Sequence, residues 1–526
     1  MRSLSRLLGA LTLLAFAFSL VGCEITADDI ERWKGTVKGP RKIVAVLLAP
    51  KYSAELRSKA ALALVEMASR PEPEPFEGLA QLQRAMPLIE EAKRQEIIHM
   101  MIPRLVALMR GEGSPVRSNP DGTPAGPTEL QTRAKDAAFT LLSHAAQPDR
   151  QQLTQAILQW IAEDFNGRSL AGNYSAEQVV QAIGQPAAAF LVNALNARMP
   201  PEALEKVAQL IGQLGDAESK RAGAARLVAI ELEMESPAYG QWLRQKVVEQ
   251  AEAQRTTLTP EQTNRVVEHN RDQLIRNGAL PAMKHLASER AVVDRLLAIG
   301  LSAQAPAERR AAALIAAKDR LTRADAAALT PLALNGQTPV DVRDEVFDRI
   351  AEIRDPSVLP QFHPLLVGED IRVRWRVAEL MLQVGGAAQI PELFTRLPSR
   401  EAQYPPGELS GIASRIGTLS PLPTEVMRGH LRSPQWFIRI IAIRFFERKG
   451  SAADVPSLEQ LTADTAPCVG EGWEAGSTVG RIATGAIETL RGGGQQARPN
   501  APSPAPAPPT APPAPAPTPA PTPAPR

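Results

Sequence analysis

The sequence predicts an all-α fold, a row of stacked helical hairpins followed by an unstructured tail. From Pro40 to about Leu490, helix-like segments alternate with short runs of Pro, Gly and Asp, and no sustained alternation of β-branched residues is present. Hydrophobic residues make up 44% of the 526, which is enough for a buried core. Units of about 32 residues recur, and such units bury their apolar faces only by stacking on neighbours.

The overall charge excludes one broad class of partner. Lys plus Arg is 59 and Asp plus Glu is 57, and loss of an N-terminal signal with Arg2 and Arg6 would leave equal numbers. Proteins that bind polyanions usually carry an excess or a block of positive charge. We therefore expect no nucleic-acid partner. Two cysteines also cannot build a disulfide framework or a zinc cluster.

The N-terminus has the form of a secretory signal, assigned to residues 1–22. Two arginines lie within Met1–Arg6, and Leu7–Leu20 is apolar and uncharged. As a helix this run would measure about 21 Å, short of the ~30 Å hydrocarbon core of a bilayer. A permanent transmembrane span is therefore not predicted here.

The signal ends in Leu20, Val21, Gly22 and Cys23, which resemble the lipobox of bacterial lipoproteins. The resemblance implies cleavage after Gly22, a diacylglyceryl group on the Cys23 thiol and an acyl chain on the new amino group. Two or three such chains give a stable membrane anchor. Residues 23–39 are then predicted to be an anchor linker. The alternative is a secreted protein with a structural Cys23, for which Cys468 is the one available disulfide partner.

The clearest hairpin is predicted between Asp355 and Gly386. Asp355 can cap a first helix that starts at Pro356, and Pro360 and Pro364 should kink it. Asp370 can cap the second helix, which should end at Gly385-Gly386 in left-handed conformation. The predicted apolar face of that helix is Val373, Val377, Leu380, Met381 and Val384, and the predicted polar face is Arg372, Arg376, Glu379 and Gln383.

The start of this second helix recurs along the chain. Val342-Arg343, Val373-Arg374 and Ile438-Arg439 each precede apolar residues at helical spacing, and Leu56-Arg57 and Arg310 fit the same pattern. We expect Arg343, Arg374 and Arg439 to form a structural ladder with acidic neighbours rather than to contact a ligand. Further helical segments are predicted at Glu129–Ala146, Arg150–Phe165, Ala176–Leu195 and Pro201–Leu214.

These units resemble HEAT repeats in their short, phycobilisome-lyase-type bacterial form. The family has a proline-bent first helix and an Asp-x-x-Val-Arg start to the second, which Asp370, Val373 and Arg374 match in full. The resemblance is good over 307–460, fair over 40–67 and weak over 71–277. It implies a HEAT-like α-solenoid domain over 40–491 with an extended concave face for protein partners.

Three segments interrupt or follow the helices. Arg70–Pro75 alternates Pro and Glu and should be an extended connector, and Gly111–Pro127 should be an exposed loop. Residues 492–526 are Gly-rich and then Pro/Ala-rich, with 14 of the 47 prolines in Pro499–Arg526. Such a tail should be disordered and populate polyproline II. It could span or contact peptidoglycan, serve as a ligand for aromatic grooves, or have no specific role.

The sequence predicts no catalytic, cofactor-binding or metal-binding residue. The six histidines are too scattered for a His-x-x-x-His metal face, and neither a nucleophile elbow nor a phosphate loop is present. His99, within an apolar run, is expected to be a partly buried structural histidine. Cys468 is expected to be an inert thiol, and Gly470–Gly480 is not expected to bind a nucleotide.

The combined interpretation is a non-enzymatic scaffold or adaptor that binds envelope proteins and sits in the bacterial cell envelope. Glu24 follows the anchor cysteine, where many Gram-negative lipoproteins retained at the inner membrane carry Asp. We therefore expect the inner leaflet of the outer membrane, with the helices facing the periplasm. Two alternatives stay open, a lyase- or chaperone-like HEAT protein and a passive envelope spacer with a wall-spanning tail.

Overall fold

The computed structural model describes residues 25–69, 76–112, 126–163, 165, 172–368, 370–397 and 403–492. Within these ranges the chain is helical and contains no strand, apart from isolated β-bridge residues at Phe76 and at the antiparallel pair Pro467 and Thr478. The predicted all-α class is therefore confirmed. The lipobox, the connector at 70–75, most of the loop at 111–127 and the tail after Gly492 lie outside the described residues. No helix in the described ranges is long and apolar enough to span a bilayer.

The helices form two compact units, which divide between Ile353 and Arg354. The stretch that resembles HEAT repeats best, 307–460, falls in both of them. The described helices of the first unit are α1 Ala27–Lys34, α2 Gly39–Leu48, α3 Ala54–Glu66, α4 Gly78–Ala85, α5 Glu91–Met109, α6 Glu129–Leu142, α7 Asp149–Glu163, α8 Ala176–Ile183, α9 Gln185–Ala194, α10 Pro201–Leu214, α11 Ala217–Glu235, α12 Pro237–Ala253, α13 Pro260–Leu274, α14 Leu280–Lys284, α15 Arg290–Leu301, α16 Ala307–Ala316, α17 Arg323–Leu334 and α18 Val340–Ile353.

The second unit combines short and long helices. Those described are α19 Leu359–Phe362, α20 Ile371–Gly385, α21 Ile390–Arg396, α22 Pro406–Ile416, α23 Thr424–His430, α24 Trp436–Lys449, α25 Val455–Glu459 and α26 Val479–Gly492. Single 3₁₀ turns flank α19, α20 and α25, and in the first unit a π-helical turn at Ile275–Ala279 leads into α14.

Packing inside each unit follows chain order. Helices pack on their immediate successors, as α2 does on α3 and α15 on α16, and also on the next helix but one, as α3 does on α5 and α22 on α24. The first kind of contact closes a hairpin and the second stacks one hairpin on the next. Stacking buries apolar side chains that a single hairpin would leave in water, which is the organisation of an α-solenoid.

The hairpin predicted at Asp355–Gly386 forms as expected. The Asp355 carboxylate accepts from the Ser357 amide at 3.0 Å. The prolines at 360 and 364 divide the first helix into a 3₁₀ turn, α19 and a second 3₁₀ turn. Asp370 caps α20 by accepting from the Arg372 and Val373 amides at 2.9 and 3.2 Å. The helix ends at Gly385, and the following Gly386 has φ 64° and ψ −152°, a positive φ outside the left-handed helical conformation.

Glu379 lies on the predicted polar face of α20, where it accepts hydrogen bonds from Arg376 at 2.8 Å and from Gln383 at 3.4 Å, but this part of the face is covered. The Glu379 side chain is only 7% exposed and also pairs with Arg415. The reason is that α22, which carries Arg415, packs against α20. A stacked helix is covered on two sides, whereas hydrophobic periodicity identifies only the apolar one.

Two boundaries in the first unit also differ from the sequence-based expectation. The sequence predicts one helical segment over Ala176–Leu195, but Gly184, with φ 76°, separates α8 from α9. The predicted linker at 23–39 contains α1, whose Thr26 forms a capping box with Asp29 and whose Ile30 is buried. In contrast, α10 has the predicted bounds Pro201–Leu214.

Arginine side chains satisfy the carbonyl groups at many helix C-termini. The last carbonyls of an α-helix have no partner within the helix, and a nearby guanidinium complements both their hydrogen bonds and the helix dipole. The arginine–carbonyl pairs at helix ends are Arg57 to Leu47, Arg133 to Val65 and Glu66, Arg226 to Leu195, Arg310 to Gly300, Arg349 to Leu314 and Arg374 to Gly368. Arg439 donates in a similar way to Ser433, in the loop before its own helix. Burial lowers the pKa of Arg57 and of Arg310.

Replacing one of these buried arginines should destabilise the fold. Arg310 is 6% exposed and its Nε lies 3.1 Å from the Gly300 carbonyl oxygen. Arg310→Met would leave that carbonyl buried without a donor, and we expect a loss of about 1–3 kcal/mol in the free energy of unfolding. Urea unfolding followed by circular dichroism measures it. Arg320→Met, at an exposed position, is the control, and equal effects of the two substitutions would contradict the capping role.

A bidentate ion pair fixes α17 to α15. The Arg290 guanidinium donates to both carboxylate oxygens of Asp325 at 2.9 and 2.6 Å, and the Thr322 amide donates to the same carboxylate at 2.7 Å. The side chain of Asp325 is 3% exposed. The hydrogen bonds from Arg290 are the main reason why the pKa of Asp325 is lowered to about 2.

This pair predicts a specific loss of stability in acid. Because the pKa of Asp325 is lower in the folded chain than in the unfolded one, its contribution is complete above about pH 4 and declines as the pH falls towards 2. Asp325→Asn should therefore destabilise the protein at pH 6, and its difference from wild type should shrink by pH 2.5. Urea unfolding over that range tests this, with the exposed Asp341→Asn as control. A difference that stays constant with pH would contradict it.

Candidate functional site

The main candidate site is a groove of about 680 Å³ between α6, α7 and α8, here called the aromatic groove. Phe139 and Tyr174 form one wall, with ring centroids 4.9 Å apart at an angle of 66°. Its lining consists of Gln83, Phe139, Thr140, Leu142, Ser143, His144, Gln147, Arg150, Gln151, Thr154, Tyr174, Ala182, Ile183 and Pro186. Aromatic and aliphatic walls with a few polar groups are typical of ligand and peptide sites.

A buried ion pair holds Tyr174 in place. Lys135 is fully buried, and its ammonium lies 2.6 Å from the Asp136 carboxylate and donates to the Tyr174 carbonyl oxygen at 2.5 Å. Asp136 also accepts from the Asn173 amide at 2.6 Å. The backbone just before Tyr174 requires a glycine at position 172. Gly172 has φ 85°, and a Cβ there would stand 2.5 Å from the Asp136 carboxylate. The groove wall is therefore pre-positioned by the core of the first unit.

The rim of the aromatic groove is polar but nearly uncharged. Amides and hydroxyls dominate it, and Arg150 is the one formally charged side chain among the described lining residues. Burial, followed by the charge of Arg94, lowers the pKa of His144, so this imidazole stays neutral at physiological pH. With no carboxylate in the described lining, His144 has no acid–base partner in the groove. The arrangement suits binding of an uncharged, partly apolar chain.

A cleft of about 570 Å³ in the second unit has a different character. It is lined by charged groups that include Arg428, Arg439, Glu425 and Asp464. The Arg428 guanidinium donates to Asp454 at 2.7 Å, and Arg439 lies 2.7 Å from Asp464. Hydrogen bonds to Glu425 and Asp454 raise the pKa of Arg428. Arg428 and Arg439 are committed to partners inside the unit, so of the three arginines in the described lining only the exposed Arg432 is left to meet an anion.

Two of the three arginines of the predicted ladder, Arg374 and Arg439, pair with carboxylates. Arg374 forms a bidentate pair with Glu408 of α22, at 3.1 and 3.0 Å, and Arg439 pairs with Asp464. Arg343 lies half-buried near the start of α18. None of the three lines the aromatic groove. The predicted lipidation site, with Leu20, Val21, Gly22 and Cys23, lies outside the described residues.

The expectation that His99 is partly buried is wrong. Its side chain is 74% exposed, with Nδ1 2.9 Å from a carboxylate oxygen of Asp149. Each residue of an α-helix turns by about 100°. Ile98 and Met101 therefore face the core while His99 and Met100 between them face outward. Among the described residues, no group of three or more His, Cys, Asp or Glu side chains is placed to hold a metal ion.

The glycine-rich segment at 470–480 packs against Tyr404. The Tyr404 amide donates to the Val469 carbonyl oxygen at 2.8 Å, and the Trp473 indole donates to the Tyr404 carbonyl oxygen at 2.8 Å. Gly470 has φ 145°, and a Cβ there would stand 2.6 Å from that same carbonyl oxygen. The glycine at this position therefore permits a close approach between two backbone segments, which is a packing role.

Sequence reasoning did not find the aromatic groove. Phe139 and Tyr174 are 35 positions apart, and neither belongs to a recognisable motif. The sequence did contain one sign of a buried polar contact. Lys135 lies among alanines on the apolar side of α6, where burying a lysine without a partner would cost free energy. That position indicated a buried partner but not its identity.

Comparison with known proteins leaves the family open. No family model matches the chain, and no curated protein matches it. Among solved structures, the chain is similar to importin beta crystallised in an ammonium sulfate condition, with 13% sequence identity and a TM-score of 0.23. The match covers 86% of this chain and 57% of that one, so the chain spans little more than half the length of this neighbour.

The free thiol should be unreactive. Burial is the main cause that raises the pKa of Cys468 to about 11, and since the thiolate is the reactive form, little of it exists at pH 8. With Cys23→Ser to leave a single thiol, we expect Cys468 to react with an aromatic disulfide on the order of 100-fold more slowly than an unperturbed cysteine. The same measurement in urea should restore the normal rate. Fast reaction of the folded protein would contradict the predicted burial effect.

Proposed function

We propose that this protein is a lipid-anchored scaffold or adaptor that binds protein partners through its stacked helices. The aromatic groove carries the proposal, since it combines apolar walls, a nearly uncharged rim and a pre-positioned Tyr174. An extended peptide segment with few charges would fit this lining, with its backbone groups meeting the amides and hydroxyls of the rim.

The anchoring part of the proposal rests on the sequence. Leu20, Val21, Gly22 and Cys23 follow an apolar run directly, as in bacterial lipoproteins. We propose that lipid on Cys23 holds the helices at the inner leaflet of the outer membrane, facing the periplasm. Confinement to a surface raises the effective concentration of the scaffold near partners in the same envelope layer.

A binding role is favoured over an enzymatic one by the state of the reactive side chains. The pKa of the Cys468 thiol is about 11, which leaves it a weak nucleophile. His144 lacks a carboxylate in its groove, whereas His99, which pairs with the largely buried Asp149, is itself exposed on its helix. We therefore propose that the protein acts by holding partners.

Metabolic labelling tests the anchor. Cells given a palmitate analogue should label the wild type but not Cys23→Ser, and the variant should move from the membrane pellet to the soluble fraction. Cys468→Ser is the matched control and should leave both labelling and fractionation unchanged. A Cys23→Ser protein that stays labelled and membrane-bound would refute the lipid anchor.

Two neighbouring glutamines test the groove. Gln151 and Gln152 are both exposed on α7, but Gln151 lines the aromatic groove whereas Gln152 does not. Gln151→Arg should place charge and bulk in the groove and reduce recovery of crosslinked envelope partners, and Gln152→Arg should not. Quantitative mass spectrometry of envelope crosslinks compares them with wild type. Identical partner sets for the two variants would exclude the groove as the contact.

A further inference from the structure

Two tryptophans of the second unit, Trp436 and Trp473, lie together at its surface in a patch here called the indole platform. Trp436 begins α24, Trp473 belongs to the loop before α26, and both are half-buried. Their ring centroids are 6.3 Å apart, with the ring planes at 74°. The buried rings of Tyr404 and Phe437 pack against Trp436 at centroid distances of 6.4 and 6.0 Å. The platform is therefore an aromatic surface supported by the core of this unit.

The loop that carries Trp473 is held by hydrogen bonds at both levels. At its base the Cys468 amide donates to the Ser477 carbonyl oxygen at 3.0 Å, and at its tip the Trp473 indole donates to the Tyr404 carbonyl oxygen at 2.8 Å. Val469 in the same loop is 38% exposed and adds apolar surface. A ligand therefore meets a preformed surface, which lowers the entropy cost of binding.

The platform also offers a hydrogen-bond donor. The indole N–H of Trp436 has no acceptor among the described residues and is open to solvent. A complementary ligand combines flat apolar side chains with unpaired carbonyl oxygens. A polyproline II segment has both, because its backbone makes no internal hydrogen bonds, and proline-rich segments dock on aromatic surfaces in this way.

The chain supplies such a segment after α26. Residues 499–525 contain 14 prolines and no charged side chain. They lie outside the described residues, and their sequence predicts polyproline II. Prolines recur at every third position four times in a row, at Pro506, Pro509, Pro512 and Pro515. Because polyproline II has three residues per turn, these four prolines share one edge of the helix. From Pro515 to Pro525 prolines occupy every second position instead and wind around it.

The tether to this proline edge is long enough to reach the platform. Arg481, in the first turn of α26, donates at 2.8 Å to Glu474, the neighbour of Trp473, so α26 begins beside the platform. The 14 residues of α26 make a helix about 21 Å long. The 13 residues from 493 to 505 span up to about 40 Å when extended, which is enough to lead back along α26.

We propose that the segment Pro506–Pro515 of the protein's own tail docks on the indole platform as a polyproline II helix. Its proline edge lies on the rings of Trp436 and Trp473, and one of its carbonyl oxygens accepts from the Trp436 indole. The contact is intramolecular, and a docked tail is not available to span or contact peptidoglycan. The platform shares no residue with the lining of the aromatic groove, so this contact and the proposed scaffold role are tested separately.

Disulfide crosslinking in the full chain tests the docking. Cys23→Ser and Cys468→Ser remove the native thiols, and Ala511→Cys places a new one within the proline edge. Its partner is either Ala475→Cys, exposed beside the platform, or Glu488→Cys, exposed near the end of α26. An undocked tail meets position 488 more often, because the intervening chain is shorter. With docking, oxidised glutathione should join the Ala475→Cys pair about tenfold faster than the Glu488→Cys pair.

Two pairs of tail substitutions separate docking from mere proximity. Pro509→Ala with Pro512→Ala interrupts the proline edge and should abolish the faster crosslinking of Ala475→Cys. Pro519→Ala with Pro523→Ala removes as many prolines outside the edge and should retain it.

Trp436→Phe tests the hydrogen bond to the tail. It keeps an aromatic ring but lacks the N–H donor, and should reduce the crosslinking preference about fivefold. Trp375→Phe, at a half-buried tryptophan of α20 outside the platform, is the matched control and should leave the preference unchanged.

The outcomes stay distinguishable if one variant folds poorly. Circular dichroism melts show whether Trp436→Phe is folded, and the tail substitutions, which lie outside the described helices, decide the question if it is not. The proposal fails if Ala475→Cys reacts no faster than Glu488→Cys, or if the two proline pairs behave alike. A crosslinked dimer in place of a crosslinked monomer would overturn it in favour of the tail of a second copy. Gln151→Arg should leave the crosslink unchanged, so failure of the scaffold role would not alter this result.

Discussion

The fold depends on guanidinium groups that satisfy the C-terminal carbonyls of neighbouring helices. Each hairpin turn in a stacked array presents unpaired carbonyl oxygens where the next helix excludes water, and an unsatisfied buried acceptor is costly. Arginine can reach such a carbonyl along a long side chain and still donate to a second partner, as Arg374 does with Gly368 and Glu408. Some of these arginines come from a different hairpin. Arg133 of α6, for example, donates to the carbonyl oxygens at the end of α3, and this contact also fixes how the hairpins stack.

This use of arginine also explains the electrostatic character of the surface. The chain has 13 lysines and 46 arginines, and the buried arginines are matched by carboxylates or carbonyls within the units. A protein with so many arginines can therefore be nearly neutral and lack a block of positive charge. The same matching is found in a cleft of the first unit, where Glu231, Glu235, Glu268 and Asp272 lie beside Arg271, Arg295 and Arg309, and Arg276 also approaches Asp272. The aromatic groove, in contrast, has almost no charge.

Two residues show what the hydrophobic pattern of a single helix leaves out. Glu379 lies on the polar face of α20 but is buried, and His99 lies within an apolar run but is exposed. That pattern identifies the side facing the nearest neighbour, but α20 is also covered by α22, and His99 occupies the outward gap within an apolar run. The aromatic groove escaped detection for a related reason, since Phe139 and Tyr174 come together only after Lys135 and Asp136 have fixed the turn at Gly172.

The sequence by itself determined the features that depend on a few adjacent residues. It specified the all-α class, the cap at Asp370 and the breaks at Pro360 and Pro364, because hydrogen bonding and sterics within one turn decide them. Only the tertiary structure decided which charges are buried and which clefts exist. Glu231 and Arg295 are 64 positions apart, and Lys135 and Tyr174 are 39 apart. Such pairs form when the hairpins stack, and no local pattern encodes which surfaces that stacking brings into contact.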